Sequence, residues 1–341
     1  MTSYEIVRRA VEFKRPERIP IRLGTLGFDD AYWVHFEAPE GWKASAPQVD
    51  EWGCRWETPV SDTIKNMGQV KGHPLQSWDA VKDYVPPDPD DPTRWRTMEE
   101  QLRNVGDKYV VIGCGFTLFE RMHYLHGFEE LLADFHLEPD KVHALAETVL
   151  EFPVGIARQV GKRFRGRIHG FAMTDDWGTQ QQSTIRIPMW RTFFKERYKR
   201  LFDAIHDAGM HAWMHSCGKV NDVIEEWIDV GLDVVNLQQP TLLGIEEIGR
   251  RYRGRICFES LCDIQKTLPR ASVQDIDDEA RLLLKNWSTP DGGFVLGDYG
   301  DGVAIGCLPE QKRVMWRAFT KLAAPQLADL RPWESLEKKQ S

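Results

Sequence analysis

From residue 109 onward the chain repeats one unit: a short apolar run, a loop, a helical pattern and a short return. Tyr109-Val-Val-Ile-Gly113 is the first of these runs and suits a buried parallel strand. Further runs stand at 167–173, 211–215, 233–237, 255–259 and 293–296. Helical patterns at 128–135, 139–160, 189–208, 220–230, 245–253 and 272–286 separate them, and 309–322 closes the series. Pro139 and Pro309 sit where a first helical turn tolerates a missing donor, and Gly209 and Gly231 stand where helices stop. Strand and helix in alternation, joined by short loops, imply a parallel sheet with right-handed crossovers. With 18–23 as an opening strand, seven or eight strands are expected, and a closed (β/α)8 TIM barrel uses them best.

A barrel of this class accommodates all 341 residues, so one domain over 1–341 is expected. Residues 1–100 are less regular. Ser3 caps a short helix, 18–23 reads as the first strand, and 50–57 as a short strand or hairpin. The proline-rich stretch 84–92 is a surface connector, because proline removes donors and fixes φ. This region is expected to supply the first strand plus an irregular cap. Hydrophobic residues make up 42% and charged residues 28%, ample for one large core in a globular protein. A net charge of −8 argues against nucleic acid or an anionic membrane as the main partner. No apolar run approaches the ~20 residues of a membrane span. Six scattered cysteines do not form a disulfide framework and suit a reducing cytoplasm.

Polar residues collect where the predicted strands end, the end at which barrel enzymes build their active sites. They include Arg121, then Asp175, Asp176 and Gln180, then His215 and Cys217, then Asn236 and Gln238, then Glu259, then Asp298 to Asp301. Residues i and i+2 of a strand share a face, so His215 and Cys217 emerge together. That pair offers two borderline-soft ligands to Zn²⁺; the plainer alternative is a buried cysteine beside a hydrogen-bonded histidine. Asp175 can equally be a helix cap. Of the thirteen tryptophans most belong in the core, while Trp33 and Trp177, in loops, can wall a pocket.

Four blocks carry a family resemblance: 113–132, Asp175-Asp-Trp-Gly-Thr-Gln180, His215-Ser-Cys-Gly218 and Gly292-Gly-Phe-Val-Leu296. Their order and spacing over roughly residues 100–320 resemble the uroporphyrinogen decarboxylase superfamily. The resemblance implies a (β/α)8 barrel and one of two chemistries. One is metal-free decarboxylation of uroporphyrinogen; the other is zinc- and corrinoid-dependent methyl transfer.

True decarboxylases carry Arg-Gln-Ala-Gly-Arg after the first strand to grip substrate carboxylates, where this chain has Leu23-Gly-Thr-Leu-Gly27. Their tyrosine falls at about Arg121, and their late histidine within Asp298-Tyr-Gly-Asp301. An octacarboxylate needs a positively lined cleft, whereas these loops are rich in Asp and Glu. The resemblance therefore favours the methyltransferase branch, whose His-x-Cys zinc motif His215 and Cys217 match. That branch takes a third ligand from a cysteine after the last strand; here Asp298, Asp301 or Cys307 stands in that loop, with Glu259 and Cys262 as further candidates. An oxygen ligand in place of sulphur makes a harder Lewis acid, suited to an ether or alcohol oxygen. The expected enzyme moves a methyl group between a cobalamin, carried by a separate corrinoid protein, and a small molecule. Arg121, Asp175, Asp176, Gln180 and Glu259 are the candidate catalytic residues, with Trp177, Asn236 and Gln238 against the cofactor. His215, Cys217, Asp298 and Cys307 are the candidate metal ligands. The alternative is a carboxy-lyase of porphyrin biosynthesis.

Overall fold

The structure is a computed structural model that describes residues 1–58 and 68–340. Helix α1 (Ser3–Val11) opens with a Thr2/Glu5 capping box. Strands β1 (Arg22–Leu23) and β2 (Ala31–Val34) follow. Next come β3 (Tyr109–Phe116), then α2 (Leu118–His126), α3 (Phe128–Leu137) and α4 (Pro139–Phe164). From there strand and helix alternate: β4 (Gly170–Thr174), α5 (Glu196–Asp207), β5 (His211–His215), α6 (Ile224–Asp229), β6 (Val234–Leu237) and α7 (Ile245–Tyr252). β7 (Cys257–Ser260), α8 (Val273–Trp287), β8 (Phe294–Leu296) and α9 (Pro309–Ala323) complete the series.

Strands β2 to β8 pair side by side, in chain order and all parallel. The sheet curls so that β1 meets both ends. Ile21 bridges Leu296 of β8 in parallel, and the Asp30 amide just before β2 donates to the Ile21 carbonyl (2.8 Å). The eight-staved barrel is the expected fold.

The eighth stave was the one the residue pattern hid. It is β2, within 1–100, and not the 50–57 segment, whose Arg55–Glu57 pairs antiparallel with Gln69–Gly72 outside the barrel. Residues 1–100 thus supply two staves rather than one. A strand of only four residues, Ala31-Tyr-Trp-Val34, that leaves Trp33 half exposed is too short an apolar run to stand out as a stave. Helix α2, absent from the expected elements, lies between β3 and α3.

Two hydrophobic layers follow from strand alternation. Between sheet and helices lies the large outer core. Inside the barrel, Tyr109 and Val111 of β3, Trp213, Val234, Cys257 and Val295 pack against Val7 and Val11 of α1, which plugs the amino end. The apolar face of α1 is thereby covered, which stabilises by about 1.5–3 kcal/mol for each fully buried aliphatic side chain. Plugging one end leaves the carboxyl end open to chemistry.

Candidate functional site

In register, His215 of β5 stands opposite Asn236 of β6, and Asn236 opposite Glu259 of β7. All three therefore point into the barrel above the Trp213 layer. Two loops complete the site by touching backbone to backbone. A Cβ at Gly218 would lie 2.1 Å from the Gly178 carbonyl oxygen, and one at Gly178 only 2.5 Å from the Lys219 amide nitrogen. Gly218 also holds φ +79°, so only glycine fits this crossing. The contact clamps the Asp176 loop against the Cys217 loop. The Cys217 amide donates to Asp176 Oδ1 (2.7 Å), and the Trp177 amide to Ser216 Oγ (3.0 Å).

Among the described residues, Asp176, His215 and Cys217 are the side chains close enough to share one metal ion, their donor atoms lying within 4.8 Å of one another. His215 Nε2 is 3.2 Å from Cys217 Sγ and 3.8 Å from Asp176 Oδ1. Bonds of about 2.0–2.3 Å in a tetrahedron set donors roughly 3.3–3.7 Å apart, so this spacing suits zinc with a fourth position left open. His215 Nδ1 donates to Asn236 Oδ1 (2.6 Å), which leaves the Nε2 lone pair on the side of Cys217. Burial and the nearby Asp176 and Glu120 carboxylates push the Cys217 thiol pKa up, so holding it as thiolate takes a cation. Removing the acceptor in Asn236→Leu is expected to weaken zinc binding about 10- to 100-fold, as competition with a chromogenic chelator measures.

The other candidates for the third ligand are otherwise engaged. Asp298 pairs with Lys312 Nζ (2.7 Å) and accepts the Thr25 amide (3.0 Å). The Cys307 thiol is buried against the Leu308 carbonyl (3.5 Å), and that of Cys262 against the Ile276 carbonyl (3.6 Å). Asp176, read from the sequence as a catalytic carboxylate, is the one brought to the histidine and cysteine.

Several candidate residues turn out to hold structure together. The Asp175 carboxylate is fully buried; it accepts the Phe119 (3.0 Å) and Glu120 (2.7 Å) amides at the start of α2, and the Tyr198 hydroxyl donates to it. Burial pushes its pKa up to about 7. Trp177 is also fully buried, its indole N–H on the Tyr198 hydroxyl (2.8 Å), so it packs core rather than walling a pocket. Arg121 donates to Asp50 Oδ2 (2.9 Å) with its guanidinium over the Trp52 ring (4.9 Å), fastening the 50–57 segment. Gln180 is exposed on its loop.

A cavity of about 220 Å³ adjoins His215, walled by Trp33, Met173, Trp213 and Met214. Its polar lining includes Asn236, Gln238 and Asp298, together with Glu259 and Arg22, which form a buried ion pair (2.7 Å). Gln238 and Glu259 thus lie where sequence placed them, at the open end of the barrel. Arg22 went unnoticed, though an arginine inside the apolar Ile19-Pro-Ile-Arg-Leu run was the available signal. Glu120, beside Arg121 among the polar residues at the strand ends, was not among the candidate catalytic residues. Its buried carboxyl accepts from Tyr124 (3.1 Å) and Thr174 (2.9 Å) hydroxyls, and burial with the Asp176 and Asp175 charges pushes its pKa up to about 8.

The likeness to known proteins follows the same outline. A methyltransferase from Methanosarcina mazei superposes with a TM-score of 0.60 over 87% of this chain and 82% of its own, at 15% identity, which speaks for the fold. Xylanase 10B from Thermotoga maritima aligns over 94% of this chain and 98% of its own with a TM-score of 0.43 and 11% identity, too slight a likeness to bear on function. No curated protein matches the chain. The profile of the uroporphyrinogen decarboxylase (URO-D) family matches residues 62–322, from ahead of β3 to the end of α9. Matched over that span, the chain belongs to the uroporphyrinogen decarboxylase family.

Proposed function

We propose that this family member is a zinc-dependent methyltransferase, moving a methyl group between a cobalamin carried by a partner protein and a small molecule. The observation that carries the reading is the Asp176, His215 and Cys217 group beside the cavity. Zinc held by these three would supply Lewis acidity at its open position, stabilising a thiolate or polarising an ether oxygen. Asn236 keeps His215 in one tautomer and one ring orientation. The Trp33 and Trp213 rings along the cavity exclude water from the reacting atoms and strengthen each polar contact made there. Arg22 and Glu259 orient the substrate's polar end. No helix among the described residues is long and apolar enough to cross a membrane. All six cysteines are free, and we place the enzyme in a reducing cytoplasm where they stay thiols.

Cavity size weighs against the carboxy-lyase alternative. Pockets for drug-sized ligands run to about 300–1,000 Å³, and a tetrapyrrole with eight carboxylates needs more room and more cations than one paired arginine provides. The test mixes zinc-loaded enzyme with cob(I)alamin and methoxy compounds, or with methylcobalamin and thiols, and follows the cobalamin spectrum. Methyl exchange in either direction is the expected result. Conversion of uroporphyrinogen to coproporphyrinogen, with no cobalamin reaction, would contradict it.

A further inference from the structure

Lys312 is a buried cation on a helix that has no use for its charge. It is the fourth residue of α9 and only 4% exposed. A cation that near a helix start gains nothing from the helix dipole. Its partners lie in two loops. Nζ donates to Asp298 Oδ1 (2.7 Å), to Thr25 Oγ1 (2.9 Å) and to the Tyr299 carbonyl. Three donors meet three acceptors, which uses the ammonium fully. The other carboxylate oxygen, Asp298 Oδ2, accepts the Thr25 amide (3.0 Å). Both oxygens of Asp298 are thus committed where the loops after β1 and β8 meet. Yet Asp298 lines the same small cavity as His215, whose companions Asp176 and Cys217 complete the three-donor group. Among the described residues Lys312 is the one cation paired with that carboxylate. Without it Asp298 would be a mostly buried anion beside a metal site with one position open.

We infer that Lys312 is a positioning residue for the metal site: by holding Asp298 it keeps that carboxylate off the fourth position, which stays open to substrate. The inference rests on the zinc reading above and adds the residue that keeps the metal reactive. Four protein ligands make a closed, structural zinc, whereas three ligands and an exchangeable position make a catalytic one. Freed of Lys312, the Asp298 carboxylate turns to the metal and closes it.

The probe is 2-mercaptoethanol, and X-ray absorption at the zinc edge counts the sulphur atoms around the metal. Zinc-loaded wild type is expected to pass from one sulphur to two as the thiol takes the open position. Lys312→Met should stay at one and hold zinc about tenfold more tightly in competition with a chelator. Lys312→Met/Asp298→Ala should return to two sulphurs and to the wild-type affinity. Lys312→Gln carries the same test should the methionine variant not fold. A lysine that only supports the fold would leave zinc affinity in the variant unchanged or lower it. Loss of a nearby positive charge, by itself, would leave the second sulphur in place. A second sulphur taken up by Lys312→Met as by the wild type, or none taken up by the wild type, overturns the inference. Wild type that binds no zinc would instead overturn the proposed function itself.

Discussion

Cys217→Ser is expected to leave the purified protein with less than a tenth of the zinc that the wild type holds at one ion per chain. The thiolate is the softest of the three donors and contributes most to the choice of zinc over harder cations. A serine hydroxyl stays protonated there, because the same burial and carboxylates that raise the Cys217 thiol penalise any new anion. His215→Ala and Asp176→Asn are expected to follow, with affinity falling more than about 100-fold, beyond the usual effect of an outer-shell partner. Cys307→Ser should keep its metal, since that thiol lies against the Leu308 carbonyl. Metal analysis after dialysis against chelator reads all four. Zinc retained in Cys217→Ser and lost in Cys307→Ser would move the ligand set to the loop after β8.

The second large effect belongs to Asp175, and it is one of stability. Asp175→Ala removes the acceptor for two amides and one hydroxyl, all at buried positions. A lost cap costs about 0.5–2 kcal/mol, and each buried donor left unpaired about 1–3 kcal/mol. A loss of about 3 kcal/mol or more is therefore expected in urea unfolding, with zinc content per folded molecule unchanged. Asp175→Asn, which keeps one carbonyl oxygen in place, should recover part of it. Unaltered stability with loss of methyl transfer would assign Asp175 to the chemistry instead.

What the sequence disclosed divides along physical lines. The staves from β3 onward were legible because a parallel strand covered on both faces must be an apolar run. Strand β2 was not, since its partner is 78 residues away and its own apolar run is only four residues long. The start of α2 is capped by a carboxylate 55 residues along the chain, so no local signal marked it. That His215 and Cys217 emerge side by side was legible from strand periodicity, while their reading as metal ligands leaned on the family resemblance. Asp176 as their companion was not legible, because the contact depends on two glycines in different loops meeting in space. The resembled family's third ligand falls within residues 298–307, but there Lys312 already holds Asp298. Arg22 and Glu259 come from opposite ends of the chain and meet only when the barrel closes.

Zinc K-edge X-ray absorption of the purified, zinc-loaded protein tests the metal centre directly. The account predicts one sulphur at about 2.3 Å with nitrogen and oxygen neighbours at about 2.0–2.2 Å, four ligands in all, and loss of the sulphur shell in Cys217→Ser. A zinc shell of oxygen and nitrogen alone in the wild type, or no bound zinc at all, would contradict it.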